Sequence, residues 1–93
     1  MNLRDIKKDI ELVIGAFVDD CTLVLSVHQG KNVEEVANLI DEAVDLFNDL
    51  RNRSVNPEGN KRAWYLGLRK ELVEKVDALY DRLSAAVKNS VTA

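Results

Sequence analysis

"VDDCTLVLSVHQGKN", residues 18–32, decides the fold. Its middle, "TLVLSV", is rich in β-branched residues and can be read as a short strand. The same letters also continue a helical pattern. Upstream, Leu3, Ile6, Ile10, Val13 and Phe17 recur at spacings of three and four, which puts them on one face of a helix. Cys21, Val24 or Leu25, and His28 extend that stripe. A lone strand would leave its backbone N–H and C=O groups unpaired, and no other segment offers a strand to pair with. The stretch therefore reads as helix. Leu23, Val24, Leu25 and Val27 spread round more than one face of it, which implies wider burial here than at the helix start, against a second chain.

The end of the quoted stretch is a corner. Gly30 suits the left-handed position after a helix, and Asn32 with Glu35 three residues on has the form of a capping box. Val33, Val36 or Ala37, Ile40, Ala43 or Val44, Phe47 and Leu50 then mark a second helix. "SVNPEGN", residues 54–60, interrupts the chain again. Asn56 before Pro57 predicts a helix start at Pro57, with a start at Asn60 as the competing reading. Tyr65, Leu68, Leu72, Val76, Leu79, Leu83 and Val87 carry the third stripe, widened by Trp64, Val73 and Tyr80. Helices over about 3–29, 33–52 and 57–88, with a frayed tail at 89–93, make one all-α domain spanning 1–93. Short corners imply a three-helix up-down-up bundle. The middle helix is the shortest, so either its neighbours overhang it and completion by dimerisation is expected, or a bend in the first helix near Gly15 removes the mismatch.

Composition narrows the function. The 93 residues carry a net charge of −3, one cysteine, one histidine, four glycines and one proline. A single cysteine forms no internal disulfide, so a disulfide-stapled module is excluded and a reducing, cytoplasmic location is expected. "MNLRDIKKDIEL" has no uninterrupted apolar core of the signal-peptide kind, and no apolar run approaches the ~20 residues of a membrane span. No phosphate loop, Cys-x-x-Cys pair or His-rich motif occurs, so no cofactor is expected.

The residue types that suggest chemistry have plainer roles. Cys21 and His28 share a helix face but stand about 10 Å apart along the axis, too far for a nucleophile–base pair or a shared metal. Cys21 reads as a small core filler, and His28 as a residue of the helix's last turn. Asp19 and Asp20 are adjacent and point apart, and Asp20 needs a partner, for which Arg69 or Lys70 are the candidates.

Residues 33–50 hold six acids and no Lys or Arg, whereas residues 51–75 hold seven Lys or Arg against three Glu. "EAVD", residues 42–45, matches a Glu-x-x-Asp element and in that respect resembles the all-helical nucleotide pyrophosphohydrolases. That resemblance implies a Mg²⁺-dependent hydrolase using Glu42 and Asp45. "EEVAN", residues 34–38, departs from it by placing Asn38 where a further acid belongs. The basic segment, interleaved with Trp64 and Tyr65, offers Arg62, Arg69 and Lys70 as contacts for an anion or a nucleic acid. No recognisable DNA- or RNA-binding motif accompanies it. The leading expectation is a non-catalytic interaction or structural module that binds a second copy of itself or another protein, through Leu23, Val27, Trp64, Tyr65 and Tyr80.

Overall fold

A computed structural model describes residues 3–27 and 33–92, with side chains through Lys88. Among these residues the chain is all helix and turn, with no strand. Helix α1 is Leu3–Val27, α2 is Val33–Ser54 and α3 is Lys61–Thr92. The helical reading of 22–27 holds. The two polar side chains there bond back onto the helix: Thr22 Oγ1 donates to the Val18 carbonyl at 2.9 Å, and Ser26 Oγ to the Leu23 carbonyl at 2.9 Å. His28, Gly30 and the Asn32 cap lie outside the described residues.

Three cross-links define the directions of the helices. Arg69 of α3 pairs with Asp9 of α1 at 3.6 Å, and the Tyr80 hydroxyl donates to Asp20 of α1 at 2.6 Å. Each pair is sixty residues apart, so α1 and α3 climb in step and run parallel. Between α2 and α3 the order reverses. Arg53 meets Glu71 near the start of α3, and Arg82 meets Glu42 and Glu35 further along it. The result is an up-down-up bundle, a rod of 50 × 17 × 16 Å.

The core is one stripe from each helix. Ile6, Ile10, Ile14, Phe17 and Cys21 of α1 meet Val36, Leu39, Ala43, Leu46 and Leu50 of α2. Tyr65, Leu68, Leu72, Val76, Leu79, Leu83 and Ala86 of α3 close the cluster. Phe17 is fully buried and stacks edge-on against Tyr80, with ring centroids 4.9 Å apart.

The α2–α3 corner corrects the expected helix start. Gly59 has φ +70°, a left-handed conformation that ends any helix begun at Pro57. Asn60 is the cap instead: its Oδ1 accepts the Ala63 N–H at 3.1 Å, and its carbonyl accepts the Trp64 N–H at 2.9 Å. Asn56 closes the end of α2, its N–H donating to the Arg53 carbonyl at 3.3 Å and its Nδ2 to the Asn52 carbonyl at 3.1 Å. The helix of α3 also continues to Thr92, through most of the segment expected to fray.

Trp64 ties this corner shut. Its indole N–H donates to the Arg53 carbonyl at 2.8 Å, so a side chain of α3 satisfies a terminal carbonyl of α2. Replacing Trp64 with Phe keeps most of the apolar contact and removes that bond. Denaturant unfolding should show a loss of about 1 kcal/mol. Gly15→Ala should have the opposite sign, a gain of up to about 1 kcal/mol, because a Cβ there meets nothing within 4 Å.

Candidate functional site

The expected site residues separate into three places. Trp64, Tyr65 and Tyr80 turn inward. Tyr65 is 6% exposed and is part of the chain's own core. Trp64 and Tyr80 are half-buried and packed on that core. Burial first, and then the hydrogen bond to Asp20, push the Tyr80 phenol up to about 12. Asp20 thus finds its partner in Tyr80. Arg69 serves Asp9 instead, and Lys70 is exposed.

Glu42 and Asp45 lie on the rim of a groove between α2 and α3 of about 470 Å³. Its apolar floor is Leu46, Ala78 and Leu79; acids of α2 line one rim, and Lys75 and Arg82 of α3 the other. Glu42 is engaged there. Arg82 Nη1 stands 2.7 Å from its Oε2, while Nη2 reaches Glu35 at 3.2 Å. The two facing carboxylates drive the Arg82 guanidinium up from its ordinary value, Glu42 first. Among the described residues no three His, Cys, Asp or Glu side chains come together in a group able to hold a metal ion.

A second brace lies nearer the corner. Arg53 binds Asp49 at 2.7 Å and Glu71 at 2.8 Å, and Glu71 also takes Lys75 at 2.8 Å. The Arg53 Nε is buried without a hydrogen-bond partner. Three of the seven cations of the basic segment, Arg53, Arg69 and Lys75, are engaged with acids of their own chain. Among the described residues Arg62 and Lys70 are its exposed members without an ion-pair partner, along with Lys61 and Arg51, and Arg51 lies 5.9 Å from the Phe47 ring centre. Cys21 is fully buried, and burial, with the nearby Asp20 charge second, raises its thiol to about 11.

Leu23 and Val27 do face outward, 60% and 67% exposed. They are not alone. Leu12 on α1, and Leu66 and Val73 on α3, are exposed as well. Their side of the bundle follows from the cross-links. Asp9 and Asp20 point from α1 toward α3, and Leu12, Ala16 and Leu23 are their neighbours three or four residues away. On α3, Leu66, Val73 and Asp77 stand in the same relation to Arg69 and Tyr80. All these residues border the seam between α1 and α3, on the side away from α2. Leu12 and Leu66 escape a reading that follows only the strongest stripe of each helix. Their signal is a second, offset series on α1, Leu12–Ala16–Leu23–Val27.

Compared with family models, with curated proteins and with solved structures, the chain matches none. Among the described residues no helix is long and apolar enough to cross a membrane.

Two measurements probe this chemistry. Arg53 first, then Lys75, holds the Glu71 carboxyl down from its ordinary 4.5 to about 2. A folded-state value below the unfolded one means that Glu71 contributes stability above pH 4.5 and loses it as pH falls toward 2. Denaturant midpoints between pH 6 and 2 should fall less steeply in Glu71→Gln than in the parent chain; parallel slopes would refute the pairing. For Cys21, thiol labelling at pH 8 should be about a hundredfold or more slower in the folded chain than in denaturant.

Proposed function

We propose that this chain is a non-catalytic protein–protein interaction module that self-associates in the cytoplasm. The observation that carries this is the apolar face bordering the α1–α3 seam, where Leu12, Leu23, Val27, Leu66 and Val73 are each between 47% and 67% exposed. Scattered exposed Leu and Val are ordinary on any protein. A concentration of five on one side of a rod is what an association surface offers. Charged residues intersperse them, as at the rim of an interface. The anchors are aliphatic: Leu23 and Val27 remain from the sequence reading, while Tyr65 serves the chain's own core and Trp64 and Tyr80 are largely engaged there. The mechanism is burial of that face, with charge fixing orientation. A Mg²⁺ hydrolase centred on Glu42 and Asp45 has less support, because Arg82 already neutralises Glu42.

The test is thermal unfolding at several protein concentrations. A chain that folds together with its partner melts at a temperature that rises with concentration. The parent chain should show this rise. Leu12→Glu combined with Leu23→Glu should abolish it without lowering the helical content, since both residues are exposed. Melting of the parent chain that is independent of concentration would contradict the proposal.

A further inference from the structure

The seam between α1 and α2, on the other flank of α1, combines features that no contact of the chain itself uses. Glu11 and Val18 stand two residues from Asp9 and Asp20, which is about 200° round a helix and so the side turned away from α3. There a groove of about 300 Å³ is lined by Ile14, Gly15 and Val18 of α1 and by Val44 and Phe47 of α2, with Glu11 and Asp19 beside them. Gly15 leaves the groove open at its middle. A Cβ there would meet nothing within 4 Å, so no packing contact among the described residues requires a glycine. Glycine is also a poor residue for a helix interior.

The apolar floor continues up the seam. Phe47 and Arg51 lie beside Lys7, Ile10 and Glu11, and Val44 beside Gly15. In that antiparallel register Ile40 comes level with Val18, and Val33 with Leu25. Val33 and Val44 are exposed, while Val18, Leu25, Ile40 and Phe47 are half-buried on the core. Apolar positions thus recur every three or four residues along about 20 Å of seam, at 1.5 Å per residue. The charges beside this floor have one sign. Glu11 and Asp19 flank it on α1, and Asp41, one turn from Val44, on α2. Neither α1 beyond Lys8 nor α2 before Arg51 contains a Lys or Arg. Among the described residues none of these three acids has an ion-pair partner in its own chain. Lys7 and Arg51 mark the end of the groove, where the sign changes.

We propose that this groove docks an amphipathic helix of another protein, one whose apolar stripe is bordered on both sides by Lys or Arg. A helix laid in a groove is held by apolar anchors three and four residues apart. That spacing matches the seam, and the anchor that falls at Gly15 enters the open middle of the groove. Cations on the two flanks of the stripe meet Glu11 and Asp19 on one side and Asp41 on the other. Opposed charges of this kind speed encounter and select the partner. A phosphate-bearing partner, whether a nucleic acid or an anionic membrane, is repelled by the same three carboxylates. The groove and the α1–α3 face lie on opposite flanks of α1, so a copy seated on one leaves the other open, and this inference does not depend on self-association.

The experiment is fluorescence anisotropy with a labelled synthetic peptide of about 15 residues, long enough at 1.5 Å per residue to cover the seam. The peptide is built of leucine, alanine and lysine, with leucines three and four apart and lysines on both flanks. A control peptide has glutamate in place of every lysine. The lysine peptide should bind the parent chain, more tightly at low salt, and the glutamate peptide should not. Gly15→Gln fills the open middle of the groove with a neutral, helix-favouring side chain and should weaken binding about tenfold or more. Glu11→Gln with Asp19→Asn should weaken it as much and flatten the salt dependence. Asp77→Asn with Asp81→Asn removes the same charge from α3 and should leave binding within about twofold of the parent chain. Circular dichroism of each variant checks that the helices persist. No binding of the lysine peptide, equal losses from the two charge pairs, or full binding by Gly15→Gln would overturn the proposal. So would a parent chain whose mass climbs past two copies and a Gly15→Gln variant that stops at two, since the occupant would then be this chain itself. The peptide results leave the self-association reading untouched, because they are read on the peptide alone.

Discussion

A bundle of three helices has room for one apolar stripe per helix, and the rest of this structure follows from that limit. The stripes led by Ile6, Val36 and Tyr65 meet along the axis and fill it. Nothing else apolar can enter a rod only 17 Å across. A helix with a second apolar series must therefore present it outward. Helix α1 has such a series, and so, more sparsely, has α3. The outward face is thus a consequence of geometry and not of loose packing; the core residues of α1 are at most 3% exposed.

The charges complete the arrangement in two ways. On the α2 side, Arg53 and Arg82 span from one helix to the next and neutralise acids that would otherwise repel along α2. Such exposed pairs contribute little to stability individually, typically less than about 1 kcal/mol. Their value lies in register, because each sits on a long arm that reaches only when the helices are correctly staggered. The corner adds a more buried constraint. The Arg53 carbonyl accepts the Trp64 indole while the Arg53 guanidinium holds Glu71, so one residue fixes the end of α2 against the start of α3 by both its backbone and its side chain. On the α1–α3 side Arg69 pairs with Asp9 and Tyr80 holds Asp20, which sets α1 and α3 at one height and leaves Leu12, Leu23, Leu66 and Val73 exposed beside them.

The helical class was legible because three stripes at spacings of three and four leave no partner for a strand at "TLVLSV". The corner at 54–60 was only half legible. Both Asn56–Pro57 and Asn60 look like helix starts, and the choice turns on the left-handed Gly59, a backbone property that letters show only as a permission. The partners of charged residues were not legible. Asp20 was matched to a cation by sign, whereas the tyrosine at its own height on α3 takes it. Trp64, Tyr65 and Tyr80 fit two readings in the sequence, the third stripe and an interface anchor, and periodicity alone does not rank them; in the structure Tyr65 belongs to the core and Trp64 and Tyr80 pack on it. Leu12 and Leu66 were passed over because each sits off the dominant stripe, and only the three-dimensional pairing of α1 with α3 brings them to one side.

Sedimentation equilibrium of the unaltered chain across a hundredfold range of concentration tests most directly whether the second apolar series is covered by another copy. The chain mass is 10.5 kDa. The account predicts a mass that approaches twice this value as concentration rises and goes no further, since a two-fold contact closes on itself. A mass that stays at that of the single chain throughout, or one that keeps climbing past two copies, would contradict it.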